Sequence, residues 1–217
     1  MAAQVFDLEI ALKPLLLVAS KEKSPRLAIG FRVKTGRATA IVMAGPASSP
    51  RVLSRKSLQL WDPAIPESHQ PWHADFELPP DESARIVPMA LKAVERVALS
   101  ALRELVDEVR SAHGSIAGIA LVAGSSTDPE SIHNPHMRAH AREGQLFPQA
   151  LADAAKTMHI PAAVLVESEV FTSAAARLGK SPDAIKLAVT ALGRDAGKPW
   201  SAEEKAAAAA AWITLAG

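Results

Sequence analysis

The densest group of reactive side chains runs His133-Asn-Pro-His136-Met-Arg138-Ala-His140-Ala-Arg142-Glu143. Asn134-Pro135 is a good helix cap and first helical position. On the helix so begun, His136 and His140 stand four residues apart and face one way, with His133 just before the first turn. Imidazoles at this spacing can bind zinc, so His133, His136 and His140 are candidate ligands. No glutamate sits between them as in the hydrolytic HExxH motif. Arg138 and Arg142 beside a helix N-terminus offer a second chemistry, the holding of a phosphate or other anion. The plainer alternative is a polar helix face making ordinary hydrogen bonds.

Other groups are looser. Gly124-Ser125-Ser126-Thr127-Asp128 follows an apolar run, where ligands gather in open α/β sheets, so Ser125 and Ser126 join the candidate anion binders. The stretch lacks the spacing of a P-loop, and small hydroxyl residues also populate plain turns. His69 and His73 flank Trp72 in a proline-rich stretch; packing groups or a lid suit them better than a helical metal clip. No GxSxG nucleophile elbow supports acyl hydrolysis. Arg32, Lys34, Arg37, Arg51, Arg55 and Lys56 belong to the first strands and could meet phosphates. With 4% aromatic residues and no tyrosine, a base-stacking platform is excluded, which leaves contact with the nucleic-acid backbone.

Composition narrows the classes. The chain has 217 residues, enough for one core, and no cysteine, so disulfide frameworks, zinc ribbons, iron–sulfur centres and thiol nucleophiles are out. The apolar share of 48% suits a globular protein. Apolar runs such as Leu15 to Ala19 are too short for a membrane span, and Asp7 and Glu9 do not suit a basic leader, so a cytoplasmic protein is expected. Net charge is +1 but uneven: +7 over residues 1–60 and −6 over the rest. The basic part could face an acidic partner, a second copy of the chain or nucleic acid; equally, the two parts could face each other.

The elements that must position these groups read as follows. Residues 27–34 alternate with a strand period, 38–43 form a second strand before Gly45-Pro46, and 51–60 a third, together a meander. Residues 61–80 contain five prolines and read as a long irregular loop. A helix from Ser83 to His113 carries the stripe Val94, Val97, Ala98, Ala101, Leu102, Leu105 and Val109. Residues 115–123 form a strand buried on both faces. The helix after Asn134 is expected to break at Gly144 and Pro148. A fifth strand covers 162–167, and a helix from Ser168 stops at Gly179. Another begins at Ser181-Pro182-Asp183 and ends before Gly193. Ser201 with Glu204 is a capping box for a last helix, 202–215.

This order, three strands, then helix, strand, helix, strand and helices, resembles the ribonuclease H-like superfamily, nearest to its Holliday-junction resolvase branch. Gly30-Phe31-Arg32 and Ala38–Met43 fall on that branch's first strand and hairpin, Ile119–Gly124 on its fourth strand, Ile160-Pro161 before its fifth. Gly179-Lys180-Ser181 and Ser201–Trp212 fall on its later helices. The stretches Leu60-Trp61-Asp62-Pro63 and Gln70-Pro71-Trp72-His73-Ala74 resemble bacterial proteins and add no chemistry. The resemblance implies an α/β, three-layer fold with a five-stranded mixed sheet, a meander then βαβ units, flanked by helices. It covers roughly residues 27–215, within one domain of residues 27–217, with 1–26 an arm or extra element.

It also implies two divalent ions held by carboxylates on strand one, strand four and the last helix, with hard oxygen ligands suited to magnesium or manganese. Here the first position falls on Arg32 and the second near Val122 or Ala123, none of which binds a cation. Only Glu203 and Glu204 stand near the last helix, where a capping box explains them. The expectation is a non-catalytic binding or assembly protein without a cofactor. Its rival is a metal-dependent nuclease or phosphotransfer enzyme with a rearranged site of Glu167, Glu169, Glu203 and Glu204.

Overall fold

The computed structural model describes residues 26–217, so the expected N-terminal arm lies, but for Arg26, outside the described residues. Strands β1 (Leu27–Lys34), β2 (Arg37–Ala44) and β3 (Arg51–Gln59) form the antiparallel meander. Helices α1 (Pro71–Glu77) and α2 (Pro80–His113) follow, then β4 (Ile116–Ala123), α3 (Pro135–Thr157) and β5 (Ala162–Val166). Helices α4 (Val170–Leu178), α5 (Pro182–Ala196) and α6 (Ala202–Leu215) complete the chain. The sheet order is β3-β2-β1-β4-β5, with β4 parallel to β1 and β5 parallel to β4.

Both faces of the sheet are covered, and every residue of β1 except Lys34 is buried. Leu27, Ile29, Phe31 and Val33 pack with α2 and α3 residues such as Leu102, Leu105, Phe147 and Leu151. Ala28 on the opposite face packs with Ile41, Met43, Val122 and the alanines of α6. Ala206 to Ala211 are all buried, so α6 has no solvent face along that run and lies as an inner helix beneath α4 and α5.

The reason for alanine is distance. A Cβ built on Gly30 would lie 1.9 Å from the Ala207 carbonyl oxygen and 2.5 Å from the Ala211 nitrogen. Strand and helix backbones therefore touch, and only glycine facing alanine permits it.

Three expectations are corrected. Residues 61–80 are not an irregular loop: Pro66 opens a 3-10 turn ending at His69, and Pro71 opens α1. These prolines start helices, since a first-turn residue needs no amide hydrogen and proline's φ is already helical. Helix α3 runs unbroken through Gly144 and Pro148. Gly193 lies inside α5 rather than past its end; a Cβ there would meet the Trp200 ring at 2.2 Å, so the glycine makes room for packing.

Gly30→Ala should lower stability by at least about 2 kcal/mol, because backbone on both sides cannot yield. Urea unfolding followed by circular dichroism checks it; an unchanged midpoint would contradict the close approach of α6.

Candidate functional site

The carboxyl ends of β1 and β4 meet the start of α6, and here Arg32 decides the chemistry. It alternates with Ala28 and Gly30 on the α6 face of β1 and pairs across the ladder with Val122 of β4. Its side chain is only 6% exposed. Nε donates to Glu167 Oε1 at 2.8 Å and Nη2 to Oε2 at 2.5 Å, a two-pronged clasp onto the residue that follows β5. Nη1 donates to the carbonyls of Val33 and, at 3.3 Å, Val122. A buried guanidinium is tolerable only when its donors are satisfied this way.

The pair of divalent ions implied by the resemblance does not fit these residues. A permanent cation occupies the strand-one position, and Val122 and Ala123 of β4 offer no ligand atom. Glu167 is committed to Arg32, and Glu169 points outward in an exposed position. Glu204 closes the capping box, accepting from the Ser201 backbone N–H at 2.8 Å and its hydroxyl at 2.5 Å. Burial acts to raise the Glu204 carboxyl, but these two hydrogen bonds outweigh it and hold it below the usual range.

Glu203, one residue earlier, is clasped by cations. Arg37 Nη1 and Nη2 donate to its two oxygens at 2.6 and 2.8 Å, Lys34 Nζ lies 2.8 Å from Oε1, and Thr39 Oγ1 donates at 3.1 Å. The Arg37 hydrogen bonds chiefly, opposed by burial and helped by Lys34 and Thr39, hold its carboxyl at about 2. The four glutamates of the rearranged acidic site therefore do not converge.

The expected anion binders divide between two clefts and a helix start. Arg32, Lys34 and Arg37 with Gly124 line a cleft of about 340 Å³. Ser125, Ser126 and Arg142 line a larger one of about 840 Å³ with Trp72, Asp128 and Glu130. There Arg142 is engaged by Glu130 at 2.9 Å and lies 5.0 Å over the Trp72 ring. Ser125 Oγ accepts from the Thr127 N–H at 3.0 Å, the plain turn weighed above. Arg138 turns away to the carbonyls of Ile132 and His133, at 2.9 and 3.4 Å, and helps seat the start of α3.

The histidines do gather, though with a different third member. His136 and His140 of α3 meet His73 of α1, with ring centroids 4.5 to 5.1 Å apart. Among the described residues these three alone form a group of three or more potential metal ligands, their ligand atoms within 4.8 Å of one another. His133 lies outside that group. Behind His73 stands Glu143, fully buried, whose Oε1 lies 2.7 Å from His73 Nδ1. Sequence reasoning took His73 for a packing or lid group and gave Glu143 no role. For Glu143 a signal existed: positions 136, 140 and 143 share one helical face, and Ala139, Phe147 and Ala150 beside it are buried.

Among the described residues, much of the basic character of the first strands is answered within the chain. Lys34 and Arg37 meet Glu203, Lys56 lies 3.0 Å from Glu108 of α2, and Arg55 donates to carbonyls of residues 197–199.

Because the folded Glu203 carboxyl is depressed from 4.5 to about 2, its contribution to stability is complete above pH 4.5 and fades as pH falls toward 2. Urea midpoints measured from pH 6 to 2 should fall across that window. Glu203→Gln should flatten that part of the profile; an equally steep fall in the variant would contradict the assignment.

No protein-family model and no curated protein matches the chain. Solved structures of similar fold include the Thermus thermophilus resolvase RuvC with Holliday junction substrate, at 14% identity, covering 87% of this chain and 91% of that one, TM-score 0.49. The yeast mitochondrial Holliday junction resolvase is similar at 10% identity, 87% and 76% coverage, TM-score 0.42. An Aquifex aeolicus protein of the Ppx/GppA family is similar at 9% identity, 71% and 40% coverage, TM-score 0.36. No helix among the described residues is long and apolar enough to cross a membrane. The strand order, the mixed pairing and the helices on both faces make this a ribonuclease H-like fold of the α/β class.

Proposed function

We propose that the chain is a non-catalytic ribonuclease H-like protein that works by binding. One observation carries the reading: the clasp of Arg32 on Glu167 fills the place where two-metal nucleases gather carboxylates. Building a two-ion centre there would require expelling a buried cation and freeing Glu203 from two more. Expelling Arg32 would leave a desolvated charge unpaired, a cost of several kcal/mol; freeing Glu203 costs less, since Lys34 and Arg37 are partly in solvent.

The cleft at this site suits an anion. Arg32, Lys34 and Arg37 face two carboxylates, so one positive charge is in excess, and Lys34 and Arg37 are 44% and 47% exposed. A phosphate of a nucleic-acid backbone is the ligand that this arrangement supports, held without cleavage. The contact is small, so binding should be weak and its salt dependence shallow, corresponding to about one or two phosphates. The acidic groups that a second copy could have offered the basic strands come instead from the same chain, which weakens the case for a homodimer through this surface.

Incubation with branched and duplex DNA in magnesium or manganese should give no cleavage, and calorimetry with magnesium no isotherm. Fluorescence anisotropy at low salt should show binding that Lys34→Ala weakens. Cleavage that Glu203→Ala abolishes would overturn the proposal, as would a magnesium isotherm lost in the same variant.

A further inference from the structure

The structure assigns a second site with no counterpart in that cleft: His73, His136 and His140 are the three protein ligands of a transition-metal ion of the zinc class, with Glu143 positioning His73. Three observations meet here. The ligand atoms lie within 4.8 Å of one another, and the ligands come from two helices, α1 and α3. A tetrahedral zinc site needs nitrogens about 3.3 Å apart, from metal–nitrogen bonds of about 2.05 Å. His136 and His140 are exposed and can rotate inward by that difference.

Second, the buried member is held as a metal ligand is. Nδ1 of His73 lies 2.7 Å from Glu143 Oε1, which also accepts from the His73 backbone N–H at 3.3 Å. An ionised carboxylate accepts only, so this contact favours the tautomer of a neutral imidazole in which Nδ1 bears the hydrogen and Nε2 offers its lone pair. That carboxylate–imidazole arrangement fixes the tautomer and raises the basicity of the ligating nitrogen.

Third, two polar atoms are unsatisfied. His73 is 8% exposed and Glu143 wholly buried, yet His73 Nε2 and Glu143 Oε2 have no hydrogen-bond partner. A buried acceptor left without a partner keeps its desolvation penalty, and packing alone gives no return for it. A cation bound at Nε2 would satisfy the first and draw the negative charge of Glu143 into a compensated pair.

The ligand set selects the ion. Three neutral imidazoles suit zinc, cobalt, nickel or copper and are poor ligands for magnesium or calcium. The fourth position lies toward solvent, since His136 and His140 are exposed, and takes water or an anion. Bound metal would staple α1 to α3 and so fix the 66–77 segment on the core.

The test is zinc and cobalt binding by the full chain after chelator treatment. Expected are one equivalent of zinc in competition with a chromogenic chelator, and with cobalt the visible absorption of a four-coordinate ion. His140→Ala and His136→Ala, both at the surface, should each weaken binding at least about 100-fold. Glu143→Gln should weaken it about 10- to 100-fold, since it orients a ligand without touching the ion. Melting temperature should rise with zinc in the wild type and not in His140→Ala, while His133→Ala and His69→Ala should bind as the wild type does. No stoichiometric binding, binding that survives His140→Ala, or an equal loss in His133→Ala would overturn the assignment.

Discussion

Contact between the backbones of α6 and β1 is the constraint on which the other positions rest. Gly30 has no Cβ, and Ala207 and Ala211 bring their own main chain against it. The contact fixes the helix in depth and along its axis, because ridge positions four residues apart straddle one glycine. Its first turn is thereby set over the ends of β1 and β2, where Glu203 reaches Lys34, Arg37 and Thr39. The Ser201–Glu204 box starts the helix at that point, so a local hydrogen-bond signal and a global packing contact agree on one register.

From that register follows the electrostatic character of the sheet's carboxyl edge. Arg32 emerges beside α6 and has no water to solvate it, so it requires Glu167. Lys34 and Arg37, farther along the same hairpin, lie partly in solvent and share Glu203. The edge is a ladder of alternating sign in which each carboxylate already has its cation. Such an edge is firm and chemically quiet, and it contrasts with the histidine cluster, where buried atoms still lack partners.

Much of this was legible in one dimension. The alternation in residues 27–34 placed β1 to the residue, and Ser181, Ser201 and Asn134 marked helix starts that their side chains do cap. Arginine at the strand-one position was readable as soon as the element order was. What failed did so for a common reason: a glycine or proline signals a local backbone preference, and its use depends on what the folded chain packs against it. Gly193 makes room for the Trp200 ring, and Pro148 lies within α3 without ending it. His73 was hidden similarly. Its partners lie some seventy residues away, and its proline-rich setting read as irregular until Pro71 proved to begin a helix.

The buried alanine helix also bears on how the chain folds during synthesis. β1 is the central strand and is made before the other described elements, yet one of its faces is covered by α6, the last of them. Until the ribosome has released residues as far as Leu215, Ala28, Ile41 and Met43 have no completed layer above them. Contacts closed over so long a stretch of chain form late and slowly. The nascent sheet would therefore wait with an apolar face open, the situation in which chaperones engage a growing polypeptide.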